Sequence, residues 1–596
     1  MNITSIKTID FANLRDPAIS QMISKMEDQK PSNKRIFQQL PKHLRRRAMS
    51  YDIRKVPKSM QPAVKAQVDG ALEAKMRNKP KGRDHMKYRP HGKQQAMHRN
   101  ENFRWLETHL WHAKRFHMGE LWGWKVPIEP TMKQNRSLIK MTNESCTIRD
   151  ISYLMIVEIK GNGEAIKERL KTMVNLNLVN VDSWKLRTMS QMELYKINGY
   201  PLQTIGPVSL FWINKDMVWI IIHPLLKDDL LTELKDLDVT IIDGELNIFE
   251  VCGPLSTKVI RQSLQPSKEN DEMLQKIIYG LPHPSAVLPG FSIAYLSSDP
   301  RTYPDHLDDK EGVQIDFNNI PEYISDSPLF NNRNFEFQSE DEFNQKRAKL
   351  LFPMAEGPSG SIPIILMQRY STSKTGFGAS WLVFAPFGCG SIVFKKFVKQ
   401  GSRVFGLENS RKFDLEAGRF NFPYDRPDTN SGLQIITKEM VDLFTKNNSK
   451  PKGKQIELNF YQFPNQFCIS FDSGENSYIR IGIKIAKRGT PSRFSTIYIP
   501  DSCDYQYVNQ VSEIKGTRTP IGMVLNGNSS ILSGEGQGIG LVQTDSFISI
   551  LPQNEASNQF QYKQRPKGSF LALIKEQGSQ FYHPAWIFPH SSNFYP

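Results

Sequence analysis

Apolar runs of strand length alternate with stretches of helical periodicity between residues 141 and 300. A buried strand shows as a short continuous apolar run, whereas an amphipathic helix repeats its apolar residues every three or four positions. The runs YLMIVEI, VSLFWI, MVWIII and IFEVCG predict strands, and EAIKERLKTMV, DDLLTELKDL and LSTKVIRQSL predict helices. This order predicts an α/β domain over 141–300, with helices backing a sheet, within a multidomain α+β protein.

After residue 350 the pattern changes to short apolar runs separated by glycine-rich turns. IPIILM, SWLVFAPF and SIVFKKF are predicted as strands of a domain over 351–446. NNSKPKGK predicts a linker over 447–455, and residues 456–596 form a predicted β-rich C-terminal domain with strands at YIRIGIKIAK, FSTIYIP and IGMVL. GEGQGIG (534–540) predicts a hairpin turn, because it lacks the flanking strand and helix of a dinucleotide-binding loop.

The first 140 residues and the stretch 301–350 lack such regular patterns. Residues 1–30 are predicted to be an N-terminal tail. Within 31–140, Pro and Gly interrupt the segments 42–60 and 75–93, which predicts an extended basic arm rather than one long helix. Residues 299–345 hold twelve Asp plus Glu against three Lys plus Arg, and they predict an acidic loop or insertion over 301–350.

The net charge of +16 is concentrated in one part of the chain. Residues 31–140 contain 26 Lys plus Arg and 8 Asp plus Glu, a net charge of +18, while the other 486 residues have a net charge of −2. Seven of the twelve histidines lie in the same segment, which would therefore gain charge at mildly acidic pH. Such a concentration favours a polyanionic nucleic-acid partner over an ordinary solvated surface. A membrane-surface helix is disfavoured, because the cations are spread all around the segment and Pro and Gly break it.

The stretch WLETHLWHAKRFHM, residues 105–118, is predicted as one amphipathic helix. Its core face would carry Trp105, Leu106, His109, Leu110, Ala113, Phe116 and His117, and its outer face Glu107, Thr108, Trp111, His112, Lys114 and Arg115. Buried, hydrogen-bonded imidazoles are the expected state of His109 and His117. Metal binding is disfavoured because the helix would separate His112 from His117, and acid–base catalysis because no nucleophile or paired carboxylate lies nearby.

The candidate nucleic-acid contacts are cations of the arm with Trp111 and two histidines, and a second, smaller basic cluster at 395–403, through phosphate binding and stacking on bases. They are Lys42, His43, Arg45, Arg46, Arg47, Arg54, Lys55, Lys81, Arg83, Lys87, Arg89, Lys93, Arg104, Trp111, His112, Lys114, Arg115, Lys395, Lys396, Lys399 and Arg403. For the last four, a solvated strand edge is an equal alternative. No catalytic residue and no metal ligand is predicted.

The cysteines and the apolar runs bear on the compartment. Five cysteines lie far apart, at 146, 252, 389, 468 and 503, without a C-x-x-C pair, so neither a disulfide framework nor a cysteine zinc site is indicated. No apolar run approaches the roughly 18 residues that span a bilayer, and the N-terminus lacks a signal-peptide core. We expect an intracellular protein that is not associated with membranes.

Several segments together resemble a known family. KHLRRRAMSYDIRKVP followed by RWLETHLWHAKRFHMGELWGWKVPIEPT is similar to the signature of the largest protein subunit shared by ribonuclease P and ribonuclease MRP, the "processing of precursors" family. The resemblance continues through MTNESCTIRDISYLMIVEIKG, FEVCGPLSTKVI and LPHPSAVLPGFSIAYLSSDPR. GFGASWLVFAPFGCGSIVFKKFVKQGSRVFGLE with FPYDRPDT looks like the POPLD domain of that family, and IGMVLNGNSSILSGEGQGIGLV resembles its C-terminal portion.

The resemblance implies a function and a fold. It implies a non-catalytic scaffold that binds ribonuclease P RNA and ribonuclease MRP RNA with the smaller protein subunits, and that meets precursor tRNA in the holoenzyme. Removal of the tRNA 5′ leader and processing of precursor rRNA would be carried out by the RNA and its magnesium ions, with no cofactor on the protein, in the nucleus and nucleolus. The implied core fold is that of the folate-binding aminomethyltransferase, the glycine cleavage T-protein.

Two alternatives remain open at this point. A folate-dependent one-carbon transferase is suggested only by the implied fold, and fold alone does not determine function. That alternative leaves the basic arm without a role. A ribosome-assembly factor that binds RNA outside any nuclease is the other alternative.

Overall fold

A computed structural model describes residues 7–27, 53–77, 103–176, 187–303 except 268, 326–333, 342–343, 361–371, 376–464, 466–470, 474, 476–487, 489–501, 503–508, 514, 516–556 and 566–590. The chain divides into two compact units, residues 1–96 and 97–596. The described part of the first unit consists of helix α1 (Thr8–Glu27), two short 3-10 turns (Ile53–Lys55 and Lys58–Met60) and helix α2 (Gln61–Arg77). Within the described residues, no helix has the length and apolar character needed to cross a membrane.

The second unit begins with a small three-stranded sheet. Strand β1 (Arg104–Trp105) pairs in parallel with β3 (Trp124–Pro130), and β2 (Phe116–Leu121) pairs antiparallel with β3. A single helical turn, α3 (His109–His112), connects β1 to β2, and helix α4 (Asn135–Glu144) follows the sheet. Residues 103–144 therefore fold with the globular part of the chain, although the sequence predicted an arm that extended to residue 140.

A five-stranded antiparallel sheet has the strand order β6-β7-β8-β5-β9. Its members are β5 (Met155–Lys160), β6 (Met189–Tyr195), β7 (Thr204–Asn214), β8 (Met217–Ile222) and β9 (Asp238–Ile242). Helices α5 (Gly163–Lys171) and α6 (Lys227–Glu233) cover one face, where Ile166, Leu170 and Leu230 join its apolar side chains. The strands and helices predicted between 153 and 237 are confirmed here.

A six-stranded sheet combines strands from two of the predicted domains. Its order is β11-β12-β13-β10-β4-β14, from β4 (Thr147–Asp150), β10 (Leu246–Cys252), β11 (Ser292–Ser297), β12 (Ile362–Arg369), β13 (Ser380–Pro386) and β14 (Arg403–Val404). Since β10 pairs with β13 over seven residue pairs, the segments 141–300 and 351–446 share one sheet.

The two sheets pack face to face, and helices cover their outer faces. Phe211 and Trp219 of the five-stranded sheet share a fully buried core with Phe384 and Met367 of the six-stranded sheet. The other face of the six-stranded sheet is covered by α7 (Ser256–Ser263), α8 (Glu272–Gly280) and α9 (Gly390–Lys399). Helices α10 (Leu407–Glu416) and α11 (Asn430–Asn448) follow in the chain.

The C-terminal part is the β-rich structure that the sequence predicted. A seven-stranded sheet has the order β15-β16-β19-β18-β17-β20-β21, and β21 also pairs with β16, which closes six of the strands into a barrel. The strands are β15 (Cys468–Ile469), β16 (Ser477–Ile485), β17 (Thr496–Tyr498), β18 (Pro520–Ser529), β19 (Gly536–Gln543), β20 (Phe570–Lys575) and β21 (His583–Pro589), with helices α12 (Asp504–Tyr507) and α13 (Thr544–Ala556). The glycine run at 534–540 starts at the turn between β18 and β19 and continues into β19.

Two predictions of secondary structure after residue 350 are wrong. SIVFKKF was predicted as a strand but lies in α9, which follows a turn where Gly388 adopts φ +92°. Its apolar residues are almost all buried, so the run shows little of the periodicity that distinguishes a helix. The predicted linker 447–455 begins inside α11, which ends at Asn448.

Candidate nucleic-acid interface

The segment 105–118 is not the single helix that its periodicity predicts. Trp105 lies in β1, only His109–His112 form a helical turn, and Phe116 starts β2. Pairing of β1 and β2 with β3 satisfies backbone groups that a helix would have bonded internally. The predicted faces are therefore partly wrong: Leu110 is 43% exposed.

Two polar side chains of this segment anchor it to the sheet and to α9. The Glu107 carboxylate accepts hydrogen bonds from the backbone N–H groups of Gly388 and, at 2.7 Å, of Gly390, at the start of α9. A carboxylate is favourable there, because the first N–H groups of a helix lack partners and carry partial positive charge. Thr108 donates to buried Asp150, which also accepts from the backbone N–H and hydroxyl of Ser152, and burial raises the pKa of Asp150. Glu107 and Thr108, predicted on the outer face, thus have structural roles.

His109 and His112 are buried, so His112 is not the surface residue that the helix predicted. His112 is fully buried, its Nδ1 lies 3.1 Å from the Thr108 carbonyl oxygen, and His109 packs on the ring of Trp105 at 3.8 Å. Burial lowers the pKa of each imidazole to about 4. Both rings are therefore neutral at mildly acidic pH, contrary to the expectation of added charge. Of the three histidines only His117 is exposed, so the predicted burial of His117 is wrong.

Trp111 is half-buried rather than free for stacking. Its ring contacts Phe394 of α9 edge-on at a centroid distance of 5.2 Å and lies 6.2 Å from the ring of Phe116. On another side, the Arg115 guanidinium lies 4.4 Å from the Trp111 ring centroid and donates to the Trp111 carbonyl oxygen at 3.1 Å. Trp111 therefore supports an exposed arginine and at the same time packs against α9.

A group of exposed cations lies around Trp111. Lys114 and Arg115 are exposed, and the Arg115 carbonyl oxygen accepts from the backbone N–H and the hydroxyl of Thr131, which places the start of the next segment beside it. That segment adds three exposed cations that were not singled out from the sequence. They are Lys133 before α4, and Arg136 and Lys140 on α4.

Helix α4 holds two of these cations on its exposed side. Its buried residues Leu138, Ile139 and Thr142 face the core, whereas Arg136 and Lys140 are four positions apart on the opposite side. Arg403 is exposed in β14, which pairs with β4 just after the end of α4, and its backbone N–H donates to the Cys146 carbonyl oxygen at 3.1 Å. We call this set the basic face: Lys114, Arg115, Lys133, Arg136, Lys140 and Arg403. Lys133, Arg136 and Lys140 were not predicted from the sequence. Their i, i+3, i+7 spacing, inside the segment of net charge +18, is the pattern that could have identified them.

The remaining predicted nucleic-acid contacts within the second unit differ in how exposed they are. Lys396 is buried, its Nζ donates to the Tyr303 carbonyl oxygen at 2.9 Å and lies 4.4 Å from the Tyr303 ring centroid, so its predicted surface role is wrong. Lys395 is half-buried and Lys399 is exposed at the end of α9. Arg104 is exposed but forms an ion pair with Asp243 at 2.6 Å.

The first unit contributes few of the predicted contacts to the described residues. Arg54 is exposed in a 3-10 turn that ends at Lys55, and the Lys55 side chain lies outside what the structure describes, so its role stays a prediction. Ten of the predicted contacts lie outside the described residues: Lys42, His43, Arg45, Arg46, Arg47, Lys81, Arg83, Lys87, Arg89 and Lys93. Those ten stay predictions from sequence.

Most of these elements lie in regions of the chain that match models of known protein families. The family model of the N-terminal region of the ribonucleases P/MRP protein subunit POP1 matches residues 11–74 and 62–162, and the POPLD domain matches residues 380–471. The POP1 C-terminal domain matches residues 508–588, so that the three models together cover a little over half of the chain. The chain belongs to the POP1 family. The basic face lies mainly in the region of the POP1 N-terminal model, and Arg403 lies in the POPLD domain.

Individual relatives agree with the family models. The human ribonucleases P/MRP protein subunit POP1 is 25% identical over 75% of this chain and 57% of its own length. The Caenorhabditis elegans subunit popl-1 is 25% identical over 70% of this chain and 58% of its own length. The Saccharomyces cerevisiae subunit POP1 is 22% identical over 62% of this chain and 47% of its own. The chain thus spans about half the length of the curated relatives that it matches.

Among solved structures, the glycine cleavage aminomethyltransferase T from Bartonella henselae covers 83% of this chain and 98% of its own length, with 14% identity and a TM-score of 0.43. A heterotetrameric sarcosine oxidase from Corynebacterium covers 46% of this chain, with a TM-score of 0.20. These likenesses agree with the mixed α+β fold class, including the aminomethyltransferase-like core, that was expected from the sequence. At such TM-scores they carry no conclusion about function.

Proposed function

We propose that the chain is an RNA-binding scaffold subunit of the ribonuclease P and ribonuclease MRP particles, and that it does not itself cleave RNA. Membership of the POP1 family supports the assignment to these particles. The observation that carries the RNA-binding part is the basic face, where six cations are exposed on neighbouring elements. Exposed cations attract a phosphate backbone by releasing its condensed counterions.

The position of the basic face on the fold supports the scaffold role. Its loops and helix are anchored to the six-stranded sheet through buried groups, such as Thr108 on Asp150 and Glu107 on the start of α9. Cations held on a rigid support preserve their mutual spacing when RNA binds, which reduces the entropy lost on binding. Such a surface is suited to positioning a folded RNA.

In the proposed particles, the RNA and its magnesium ions supply the cleavage chemistry, and the protein carries no cofactor. The reactions would be removal of the 5′ leader from precursor tRNA and, in the MRP particle, cleavage of precursor rRNA. The partners would be ribonuclease P RNA, ribonuclease MRP RNA and the smaller subunits of both particles. The proposed compartment is the nucleus with its nucleolus, which fluorescence imaging of the tagged chain tests directly.

The central experiment purifies the tagged chain from its own cells and sequences the RNA that accompanies it. We expect a ribonuclease P-type RNA, and cleavage of precursor tRNA that disappears when the RNA is digested. Cleavage by the chain after complete removal of RNA would refute the scaffold role. Recovery of ribosomal precursors alone would favour an assembly factor.

A second measurement tests the phosphate contacts. For binding of the cognate RNA, the logarithm of the association constant should fall by about 0.7 to 0.9 per log unit of salt for each phosphate that is neutralised. With several cations engaged, the slope should exceed that of a single contact several-fold. An association constant that does not depend on salt would contradict the proposal.

A further inference from the structure

Helix α1 carries more exposed large apolar side chains than any other element within the described residues. Seven of them are each more than half exposed: Ile9, Phe11, Leu14, Ile19, Met22, Ile23 and Met26. Single exposed apolar side chains are ordinary on a protein surface, whereas a contiguous group marks an interaction site. The arrangement of these seven side chains around the helix therefore decides what they mean.

Most of them lie on one side of α1. Five fall within an arc of about 120° when residues are placed about every 100° around the helix. These five are Phe11, Ile19, Met22, Ile23 and Met26. We call them, together with Arg15 at the middle of the arc, the α1 stripe. Asn13, Ser20 and Ser24 lie outside that arc, so α1 is amphipathic, and all side chains from Lys7 to Met26 are exposed.

A cation lies among the apolar side chains of the α1 stripe. Arg15 is four positions after Phe11 and four before Ile19, on one ridge of the helix. Its guanidinium carbon lies 5.1 Å from the centroid of the Phe11 ring, so the charge is held over the stripe. Within the described residues, no carboxylate lies within ion-pair distance of Arg15. A surface that covers the stripe must supply an acidic side chain, because an arginine buried without one is strongly destabilising.

The helix also needs a surface to pack against. Pro17 lies inside α1, where its ring removes a backbone hydrogen bond and disfavours the helical conformation. It divides α1 into two halves that are each shorter than the about 12–15 residues that an isolated helix requires. Most helices in proteins are stabilised by packing of their apolar side, and α1 has no buried side within the described residues. Docking of the stripe supplies that packing.

The charges of α1 indicate which partner fits. Residues 8–27 contain three acidic and two basic residues, so α1 lacks the cation excess that attracts RNA. Outside the stripe, Asp10 and Asp16 stand against one cation, Lys25, whereas helices that lie on anionic membranes have a basic polar side. Two copies packed through their stripes would bury both Arg15 side chains, and the stripe contains no carboxylate to pair with them.

We infer that α1 docks through the α1 stripe into an apolar groove of a partner protein, which places an aspartate or glutamate against Arg15. The apolar side chains fill the groove, and the ion pair fixes the register of the helix in it. The inference goes beyond the proposed function, which depends on the basic face and assigns no residue of α1. In the proposed particles the partner is one of the smaller protein subunits, and only that identity rests on the proposed function.

Photo-cross-linking in the assembled complex tests which molecule covers the stripe. p-Benzoylphenylalanine replaces Met22 in the full-length tagged chain, which is irradiated in its own cells, purified and analysed by mass spectrometry. Ser20, outside the stripe, is the matched control position. We expect Met22 to cross-link to an identified protein, at a peptide that contains Asp or Glu, at least tenfold more than Ser20 does. Cross-links to this chain, to a second copy, to RNA or to lipid, or equal yields at both positions, would overturn the inference.

A charge substitution tests the ion pair, with the purified cross-linked protein as the probe. Arg15→Gln removes the charge but keeps a good helix former, and we expect it to weaken binding to the full-length chain at least tenfold by isothermal titration calorimetry. Lys25→Gln is the matched control, because it removes a cation of α1 outside the stripe, and it should change binding less than twofold. Equal effects of the two substitutions would refute the pairing of Arg15 and with it the inference.

A truncation of apolar side chains tests the groove. Ile19→Ala with Met22→Ala shortens two side chains of the stripe while alanine favours the helix, and we expect binding of the same protein to weaken at least tenfold. Ser20→Ala with Ser24→Ala is the matched control outside the stripe. Unchanged binding in the Ile19 and Met22 variant contradicts the inference. So does a clear loss of thermal stability of the unbound chain in that variant alone, since the stripe would then pack within the chain.

RNA recovered from the same purified complexes separates this inference from the proposed function. If Arg15→Gln complexes lose the cross-linked protein but keep ribonuclease P-type RNA, both are supported. If another RNA or none is recovered while the Met22 cross-link to protein persists, the proposed function fails and the docking surface stands. If ribonuclease P-type RNA is recovered without a protein cross-link at Met22, the inference alone fails. Loss of the RNA from Arg15→Gln complexes that retain the protein would assign the stripe to RNA and also defeat the inference.

Discussion

The basic face and a cavity of about 260 Å³, which the two large sheets and the barrel line together, are both rich in cations, but the cations differ in what neutralises them. Around the cavity, Arg149 is half-buried, Arg426 is buried, and both contact carboxylates. On the basic face, Arg115 and Arg136 are exposed, and within the described residues neither has a carboxylate within ion-pair distance. Buried arginines require internal acidic partners, whereas exposed ones are available to an external polyanion. A basic composition therefore indicates a nucleic-acid surface only where the acidic partners are missing.

The largest expected effect comes from breaking a buried ion pair beside the cavity. Glu250 is fully buried and accepts from Arg149, from Arg369 at 2.9 Å and from the Ser380 hydroxyl at 2.9 Å. Burial alone would raise the pKa of Glu250, but Arg149 and Arg369 outweigh burial and hold the pKa well below its usual range. We expect Glu250→Gln to lower the free energy of unfolding by about 3–5 kcal/mol, because two guanidinium groups lose their charged partner.

Denaturant unfolding measures that loss, and a surface pair provides the control. Lys140 and Glu144 lie 3.8 Å apart and are both more than half exposed. Glu144→Gln should change the free energy of unfolding by less than about 0.5 kcal/mol. Similar losses in the two variants would show that burial does not distinguish the two regions.

The next effect tests whether Trp111 belongs to the core or to the basic face. Because its ring packs on Phe394 and Phe116, Trp111→Ala should lower the free energy of unfolding by about 2–3 kcal/mol, less than for a fully buried tryptophan. Thermal or denaturant unfolding of the variant measures it. Trp111→Phe is the matched control and should retain most of the stability. A Trp111→Ala variant with unchanged stability and weaker RNA binding would restore the stacking role that the sequence suggested.

The third effect is a pH dependence that arises beneath the basic face. The pKa of His112 is about 4 in the folded chain and 6.5 as an ordinary value, so between these pH values the unfolded state binds a proton that the folded state does not. Stability is fully present above pH 6.5 and falls as the pH drops towards 4, by about 2 kcal/mol at pH 5 from this residue. His112→Phe should flatten the curve of unfolding free energy against pH by this amount. An unchanged curve would show that folding does not lower the pKa of His112.

The sequence predicted the regular strands well because their signal is local. Runs such as MVWIII and YIRIGIKIAK carry apolar residues over a whole strand length, and both are strands. The helix over 105–118 failed because its competitors are distant in sequence. The backbone N–H groups that Glu107 binds belong to residues 388 and 390, and Asp150, which binds Thr108, is also outside the segment. No window of local sequence contains such contacts.

The basic face and the cavity also differ in how far apart their residues lie in the sequence. Lys114 and Arg115 of the basic face were predicted, since charge density is a property of one continuous segment. The cavity was not, because Arg149, Arg369, Arg419, Arg426 and Arg480 come from separate segments and meet only when the two sheets and the barrel close.

The smallest effect on the folded chain concerns the basic face itself. We expect Arg115→Gln combined with Arg136→Gln to weaken RNA binding roughly tenfold, about 1.4 kcal/mol, and to leave the free energy of unfolding nearly unchanged. The dependence of the association constant on salt should also become shallower, by about one log unit for each lost phosphate contact. Lys450→Gln with Lys452→Gln is the matched control, because it removes the same charge from exposed positions outside the basic face. If both pairs weaken binding equally and change the salt dependence equally, the RNA responds to net charge alone and the basic face is not a defined surface. A loss confined to Arg115 and Arg136 would instead show that the anchored positions of these cations determine where the RNA binds.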